Sequence, residues 1–440
     1  MSAQAQFFEL ADALARECDA GEVLLAALSG ERSDFVRFNK ALVRQAGTVE
    51  QRYLTLRLVR GSRQAAATIA LSGGPGDLDL CKRTLPRVRD MLAQLPEDPW
   101  LLLPDSVTST NFHRRGALPD AESVVEQAVQ AGQGHDFVGF YAAGAIYRGF
   151  ADSRGQRNWH EVDTFNFDWS VHLRADKAVK DGYAGFDWDG AVFRDKVETA
   201  VQRLELLARP PVTLEPGEYR VFLAPHALEE ITGLLSWGAF SARSRATRRS
   251  ALLLMEHGER LSPKVTLAEN TAGSTAPIFQ GEGFVRPPGV TLIERGALAD
   301  SLVSPRSARE YGYTANGANG GESPEALDLA PGELPAAEAL AALGDGLYIG
   351  NLWYLNYSDR PACRITGMTR FATFKVEGGR IVAPVNALRF DDTLYRMLGE
   401  NLVDLTSERE MLLSTSTYDE RSTSSSHLPG ALIGRLRFTL

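Results

Sequence analysis

The sequence predicts an α+β protein: an N-terminal α/β domain built on an antiparallel sheet, then a larger β-rich C-terminal domain. Three observations carry this. In GDGLYIGNLWYLNYSDRPACRITGMTRFATFKVEGGRIVAPV (344–385), apolar residues alternate with polar ones through Tyr348, Ile349, Leu352 and Tyr354, and again through Phe371, Phe374 and Val376. That period of two belongs to half-buried antiparallel strands, and Gly378-Gly379 is a two-residue hairpin signal because glycine enters both positive-φ positions freely. The first 95 residues order as helix, sheet, helix. Prolines at 210, 211 and 216 interrupt regular structure between the halves, which sets domains at 1–210, with a subdivision near 96–135, and 215–440.

Residues 4–17 place Phe7, Leu10, Ala11 and Leu14 on one helical stripe. Gly21 opens a strand, EVLLAALSG. Strand-like runs follow at 35–45 (FVRFNKALVRQ) and 52–71. The second turns at Gly61-Ser62 and so reads as a hairpin, with Leu54, Leu56 and Leu58 on one face. GGPGD at 73–77 ends the sheet. A helix over 77–95 carries Leu80, Leu85, Val88 and Leu92 on its apolar side. Residues 96–119 read as loop and 120–132 as helix. From 136 to 187 the chain turns aromatic with period two, including the strand RNWHEVDTFNFDWSVHLRAD, and has turn signals at 153–155 and 180–182. A helix over 189–208 closes this half. A strand over 219–225 opens the second half, and a helix over 226–240 follows, with Leu228, Ile231 and Leu235 on one face. Short strands continue to the end.

The 440 residues suffice for two or three domains with a large core. Lysine and arginine number 47 against 56 acidic residues, a net charge of −9, which argues against a non-specific nucleic-acid binder. Three widely spaced cysteines suggest neither a disulfide framework nor a metal knuckle. No signal peptide and no run of about 18 apolar residues is visible, so the expectation is a cytoplasmic protein with no membrane partner.

Histidine stands at 113, 135, 160, 172, 226, 257 and 427, and no pair forms HExxH or HExxxH. Those motifs work because two imidazoles of one helix reach Zn²⁺ while the glutamate activates water. His226 opens a helix with Glu230 one turn on, too few ligands for a metal; a polar cap is the plainer reading. No GxSxG elbow occurs. Cys363 lies near Arg360 and Arg364, whose charge would lower a thiol pKa, although a cysteine on a β segment is the plainer reading. NGANGGES (316–323) has N–H groups to offer an anion but lacks the Lys-Ser/Thr of a phosphate loop, so it reads as loop. The four arginines of 243–249 read as a solvated face, and the aromatics of 137–188 as strand-packed core.

Five segments then occur in an order that points to a family: RSALLLMEHGERLSPKVTLAEN (249–270), LIERGALADSLVSPRSAREYG (292–312), ANG (315–317), SPEALDLAPGELPAAEALAALGDGLYI (323–349) and GMTRFATFKVEGGRIVAPV (367–385). With them the chain resembles the TldD/PmbA family, the two-subunit peptidases called modulators of DNA gyrase, over about 215–440 and more loosely before. In the TldD branch, HExxxH follows the strand ending near Pro225, and a late cysteine completes a zinc site. Here the corresponding stretch reads GLLSWG (233–238), and STSTYDERSTSSSHLPG (414–430) holds no cysteine. The family's Asp-Asp-Glu-Gly segment reads FQGEG (279–283).

The resemblance therefore implies the PmbA/TldE-like branch: a non-catalytic subunit with no metal or cofactor of its own, paired with a TldD-like zinc peptidase subunit that cuts unfolded peptides. In the family such pairs mature peptide toxins and remove antitoxins. Two other readings stand beside it. One is an autonomous peptidase with an atypical metal or nucleophile site, for which His226, Glu229, Glu230 and His427 are the candidates. The other is a homodimeric peptide-binding or scaffold protein.

Overall fold

Hairpins build both sheets of the molecule, and most of the turns are where glycine marks them. The computed structural model describes residues 2–174 and 177–439. Helix α1 (Ala3–Ala15) starts where the Ser2 hydroxyl accepts from the Ala5 N–H, and it buries Phe7, Ala11 and Leu14. Strands β1 (Glu22–Asn39), β2 (Leu42–Arg60) and β3 (Arg63–Leu71) follow, then helix α2 (Asp77–Gln94), strand β4 (Thr110–Arg114) and helix α3 (Ala121–Ala131). Strands β5 (Asp136–Asp152), β6 (Arg157–Arg174) and β7 (Lys177–Gly185) and helix α4 (Gly190–Leu207) complete this half. The sheet order is β3-β2-β1-β5-β6-β4, with β7 also on β6. All its pairings are antiparallel except β4 with β6.

Three expectations fail here. The strand expected over 35–45 is instead the tip of the β1–β2 hairpin, which turns at Lys40 and Ala41 with φ of 52° and 54°. Neither residue announces a left-handed turn. The turn is held from outside: the Ala41 N–H donates to the Phe137 carbonyl at 3.0 Å, and its methyl is buried. The turn expected at 180–182 is interior strand, with Asp181 opposite Trp169 and Gly182 opposite Asp168. β6 ends at Arg174 and β7 begins at Lys177, which pairs with it, and positions 175–176 of the strand expected there lie outside the described residues. Finally, β4 sits in the expected loop; five residues are too few to show a period.

The second half contains β8 (Gly217–Leu223), helix α5 (Pro225–Gly233), β9 (Leu267–Glu269), β10 (Val290–Glu294), β11 (Ala297–Leu298), β12 (Ala326–Leu329), β13 (Gly346–Asp359), β14 (Arg364–Glu377), β15 (Arg380–Pro384), β16 (Arg389–Thr393), β17 (Leu402–Leu413) and β18 (Ser425–Phe438). Its order is β11-β10-β9-β12-β18-β16-β14-β13-β8, and β8 also pairs with β18, so five strands close a ring. The sheet is mixed, because β8–β13 and β12–β18 are parallel. Gly378 and Gly379 turn β14 into β15 with φ of 53° and 74°. The alternation read in β13 does not mark one wet face. Leu347, Ile349 and Leu352 enter one apolar cluster and Tyr348 another, so both faces are covered, while Tyr354 is 78% exposed at a bulge. The helix expected over 226–240 stops at Gly233 and continues as a single tight turn, Leu234–Ser236. Among the described residues no helix is long and apolar enough to cross a membrane.

The prolines at 210–216 separate the sheets along the chain but not in space. Phe137, Phe165, Phe167 and Trp169 of the first sheet and Phe193 and Val197 of α4 share one cluster with Phe222, Tyr348, Phe374 and Leu432 of the second. Phe167 is fully buried, with ring centroids 5.4 Å from Phe38 and 5.1 Å from Phe193. Phe167→Ala should cost about 3–5 kcal/mol and leave a single urea transition, because both halves own the cavity. A cost below about 1 kcal/mol, or two separate transitions, would contradict a shared core.

Candidate functional site

Helix α5 leaves the end of β8 with Pro225 in its first turn, where a missing N–H costs nothing. This puts His226 against β7 and α4. Its Nδ1 lies 3.8 Å from Asp181 Oδ1. Lys196 Nζ of α4 lies 3.4 Å from Asp181 Oδ1 and 2.8 Å from Glu410 Oε2 of β17. The four side chains line a cavity of about 480 Å³ between the two halves, with Arg203, Phe222, Leu340 and Tyr348 also on its wall.

No metal ligand set was expected in this chain, yet the ligand atoms of Asp181, His226 and Glu410 all lie within 4.8 Å of one another. The fourth member of the cluster decides what this can do. Burial works against the charge of Lys196, but Asp181 and Glu410 outweigh it and hold the ammonium above its usual range. Burial likewise opposes ionisation of Asp181, and Lys196 with His226 overrides it and keeps the carboxyl below its usual range. The cationic position is therefore filled by a charge built into the chain. A divalent ion would have to displace the ammonium, so the residues present do not fit a zinc site. Sequence reading missed this group because Asp181, Lys196 and Glu410 lie far apart along the chain and Asp181 passed for a turn residue.

The proposed candidates do not converge. His226, Glu229 and Glu230 share α5, but His427 Nδ1 is 3.6 Å from Asp328 Oδ2 in a different cavity of about 220 Å³. Burial would raise Asp328, but hydrogen bonds from His427 and Asn270 and the charge of Arg409 bring its carboxyl to about 2. Glu229, half-buried, is pushed up to about 7 by burial and then by its neighbour Glu230. Glu230 is exposed.

The positions where the resemblance places zinc ligands are empty of donors. Gly233 has open space beside it. Gly238 has φ 84°, and a Cβ there would meet Ser244 Oγ at 2.9 Å, so the local backbone disfavours any side chain at 238. In the 414–430 segment it is Arg421 that is built into the structure. Its guanidinium is buried in the first sheet, donating to Ser33 Oγ at 3.2 Å, the Gly144 carbonyl at 3.3 Å and Thr164 Oγ1 at 2.7 Å. Glu282 of FQGEG pairs with Arg57 at 2.9 Å.

Other motifs resolve as structural. Burial pushes the Cys363 thiol up to about 12 despite Arg360, so it is no activated nucleophile. The 316–323 loop supplies an anion rather than binding one: Glu322, fully buried, accepts from Ser241 Oγ at 2.5 Å, the Arg243 N–H at 2.9 Å and the Ser304 N–H at 2.8 Å. Those groups lie at the starts of two short helices, Ala242–Ala246 and Pro305–Tyr311. Arg243, Arg248 and Arg249 are exposed, as expected for a solvated run.

Residues 216–440 match the family described as the PmbA/TldA metallopeptidase C-terminal domain. The chain belongs to the PmbA/TldD family. Three solved structures share its fold over nearly the whole length. TldE from Thermococcus kodakarensis has a TM-score of 0.79 at 16% identity, covering 98% of this chain and 100% of that one. A protein from Thermotoga maritima described as a modulator of a DNA gyrase scores 0.78 at 14% identity, covering 99% and 100%. One so described from Bacteroides thetaiotaomicron scores 0.76 at 15%, covering 99% and 98%. No curated protein sequence matches the chain.

Glu229 gives a pH signature. Its carboxyl titrates near 7 when folded and near 4.5 when unfolded, so the folded state binds more protons between those values and stability falls as pH rises through them. Glu229→Gln should flatten that decline and gain about 1–2 kcal/mol at pH 8 while changing little at pH 4. Urea unfolding at the two pH values checks this; an equal effect at both would show that Glu229 is ionised normally.

Proposed function

We propose that this chain is the metal-free, TldE/PmbA-like subunit of a two-chain cytoplasmic metallopeptidase. Its partner would be a TldD-like chain that holds the zinc and cuts unfolded peptides. The observation that carries the reading is the pair Gly233 and Gly238. Near the place where the resemblance puts the zinc branch's HExxxH, this chain has GLLSWG with no histidine, and position 238 has a backbone suited to glycine. The same reading takes TldE of Thermococcus kodakarensis as its nearest functional analogue among the structures above.

In such a pair this chain would supply wall and grip rather than chemistry. β3 reaches along β2 only to Arg52, so among the described residues the outer edge of β2 from Leu42 to Gln51 has no neighbouring strand. An extended peptide can pair with such an edge through its backbone, without regard to sequence. The zinc would polarise the scissile carbonyl in the partner; nothing in this chain takes part in that step.

A purified chain incubated with an unfolded casein peptide should give no cleavage, and the mixture with a cognate TldD-like subunit should give cleavage that a chelator abolishes. Chelator-sensitive cleavage by the chain alone would overturn the proposal. The second reading, an autonomous peptidase, draws on the Asp181–His226–Glu410 group. It requires a tightly held ion, so elemental analysis of the chain should find well under one zinc per chain; a stoichiometric amount would favour that reading instead.

A further inference from the structure

Helix α4 sends Val192, Lys196, Thr199 and Arg203 into the cavity that holds His226. The two cations are seven residues apart, about 10 Å along the helix axis, and their surroundings differ. Lys196 is paired with both Asp181 and Glu410. Arg203 has no contact ion pair: its guanidinium lies 4.7 Å from the centroid of the Tyr348 ring, among the described residues it makes no hydrogen bond and no ion pair, and Asp181 feels its charge only at longer range. Tyr348 is 6% exposed and belongs to the cluster shared by the two halves, so the platform under Arg203 is rigid.

A half-buried guanidinium in a concave site loses hydration, and no partner compensates it. Its planar fork of N–H donors matches a two-oxygen anion, and stacking on a ring leaves the donor edge free. The start of α5 on the same cavity adds a partial positive charge. Of the acidic groups on the wall, Asp181 and Glu410 are engaged by Lys196 and Glu408 by the Ala336 N–H at 2.8 Å, while Asp195 lies eight residues before Arg203, about 12 Å away along the helix. Ala337 and Leu340 add apolar surface to the cavity wall. A carboxylate attached to a small apolar group satisfies both features, and a peptide C-terminus is that combination.

We propose that Arg203, seated on Tyr348, anchors a subsite for the free C-terminal carboxylate of a short peptide, with the last side chain against Ala337 and Leu340. The choice of a peptide over other carboxylates rests on the proposed function. Binding is read on the chain alone, so its outcome is separate from the peptidase assay of the pair.

Calorimetric titration with acetyl-Ala-Ala-Ala carrying a free carboxylate should give binding at least about tenfold tighter than the same peptide as its C-terminal amide, the ratio a charge-assisted pair supplies. Arg203→Met keeps the stem over Tyr348 and should remove the preference; Tyr348→Phe should keep it. Acetate and inorganic phosphate should compete at least about tenfold more weakly than the peptide. The proposal is overturned if the wild-type chain binds acid and amide equally or binds neither, a comparison that needs no variant. It is also overturned if Arg203→Met keeps the preference, or if acetate or phosphate competes as well as the peptide, which would make this a small-anion site.

Discussion

The aromatic cluster around Phe167 is the constraint on which the rest of the molecule depends. It is the contact through which two separately built sheets become one body, and α4 is the element caught between them. Phe193 and Val197 turn inward from that helix to the cluster, which leaves Lys196, Thr199 and Arg203 facing the cavity between the halves. The placement of Lys196 and Arg203 in that cavity follows from how α4 is seated. Aromatic rings serve well for this because each buries a large area at the cost of only two rotatable bonds.

The cavity also shows how a site of metal-ligand composition can be closed by one lysine. Two carboxylates and an imidazole at close range would repel or take up protons if left alone. An ammonium from α4 offsets one of the two carboxylate charges and uses hydrogen bonds in place of coordination. Removing one member would leave the others with less compensated charge in a half-buried site, so the lysine has a structural reason to stay even with no chemistry to perform. Seven residues further along the same helix, Arg203 has no such reason, and that contrast within one helix face sets the two cations apart.

Most of the fold was legible in local sequence. The hairpins at Gly61 and Gly378-Gly379, the helix capped by Asp120 and the apolar stripes of α1 and α2 all follow from short-range chemistry. What failed was set at a distance. Lys40-Ala41 turns because Phe137 receives its backbone, and β13 is buried on both sides because a parallel neighbour and two cores surround it. The candidate site was half legible. His226 was found from its place at a helix start, but Asp181, Lys196 and Glu410 come from three other elements, and no spacing rule links them. The absence of an HExxxH motif, by contrast, is visible in the sequence itself and needs no fold to interpret.

Arg421 carries a consequence for biosynthesis. Glu31 is 1% exposed, and its carboxylate accepts from Ser33, Gln51 and the Arg421 backbone N–H, while the Arg421 guanidinium holds Ser33, Gly144 and Thr164. The ribosome makes those sheet residues hundreds of positions before residue 421. Until Arg421 emerges, the middle of the first sheet has polar groups with a missing partner and has to stay hydrated. The first sheet thus cannot finish drying its interior before residue 421 arrives, which ties its completion to synthesis of a segment far along the chain.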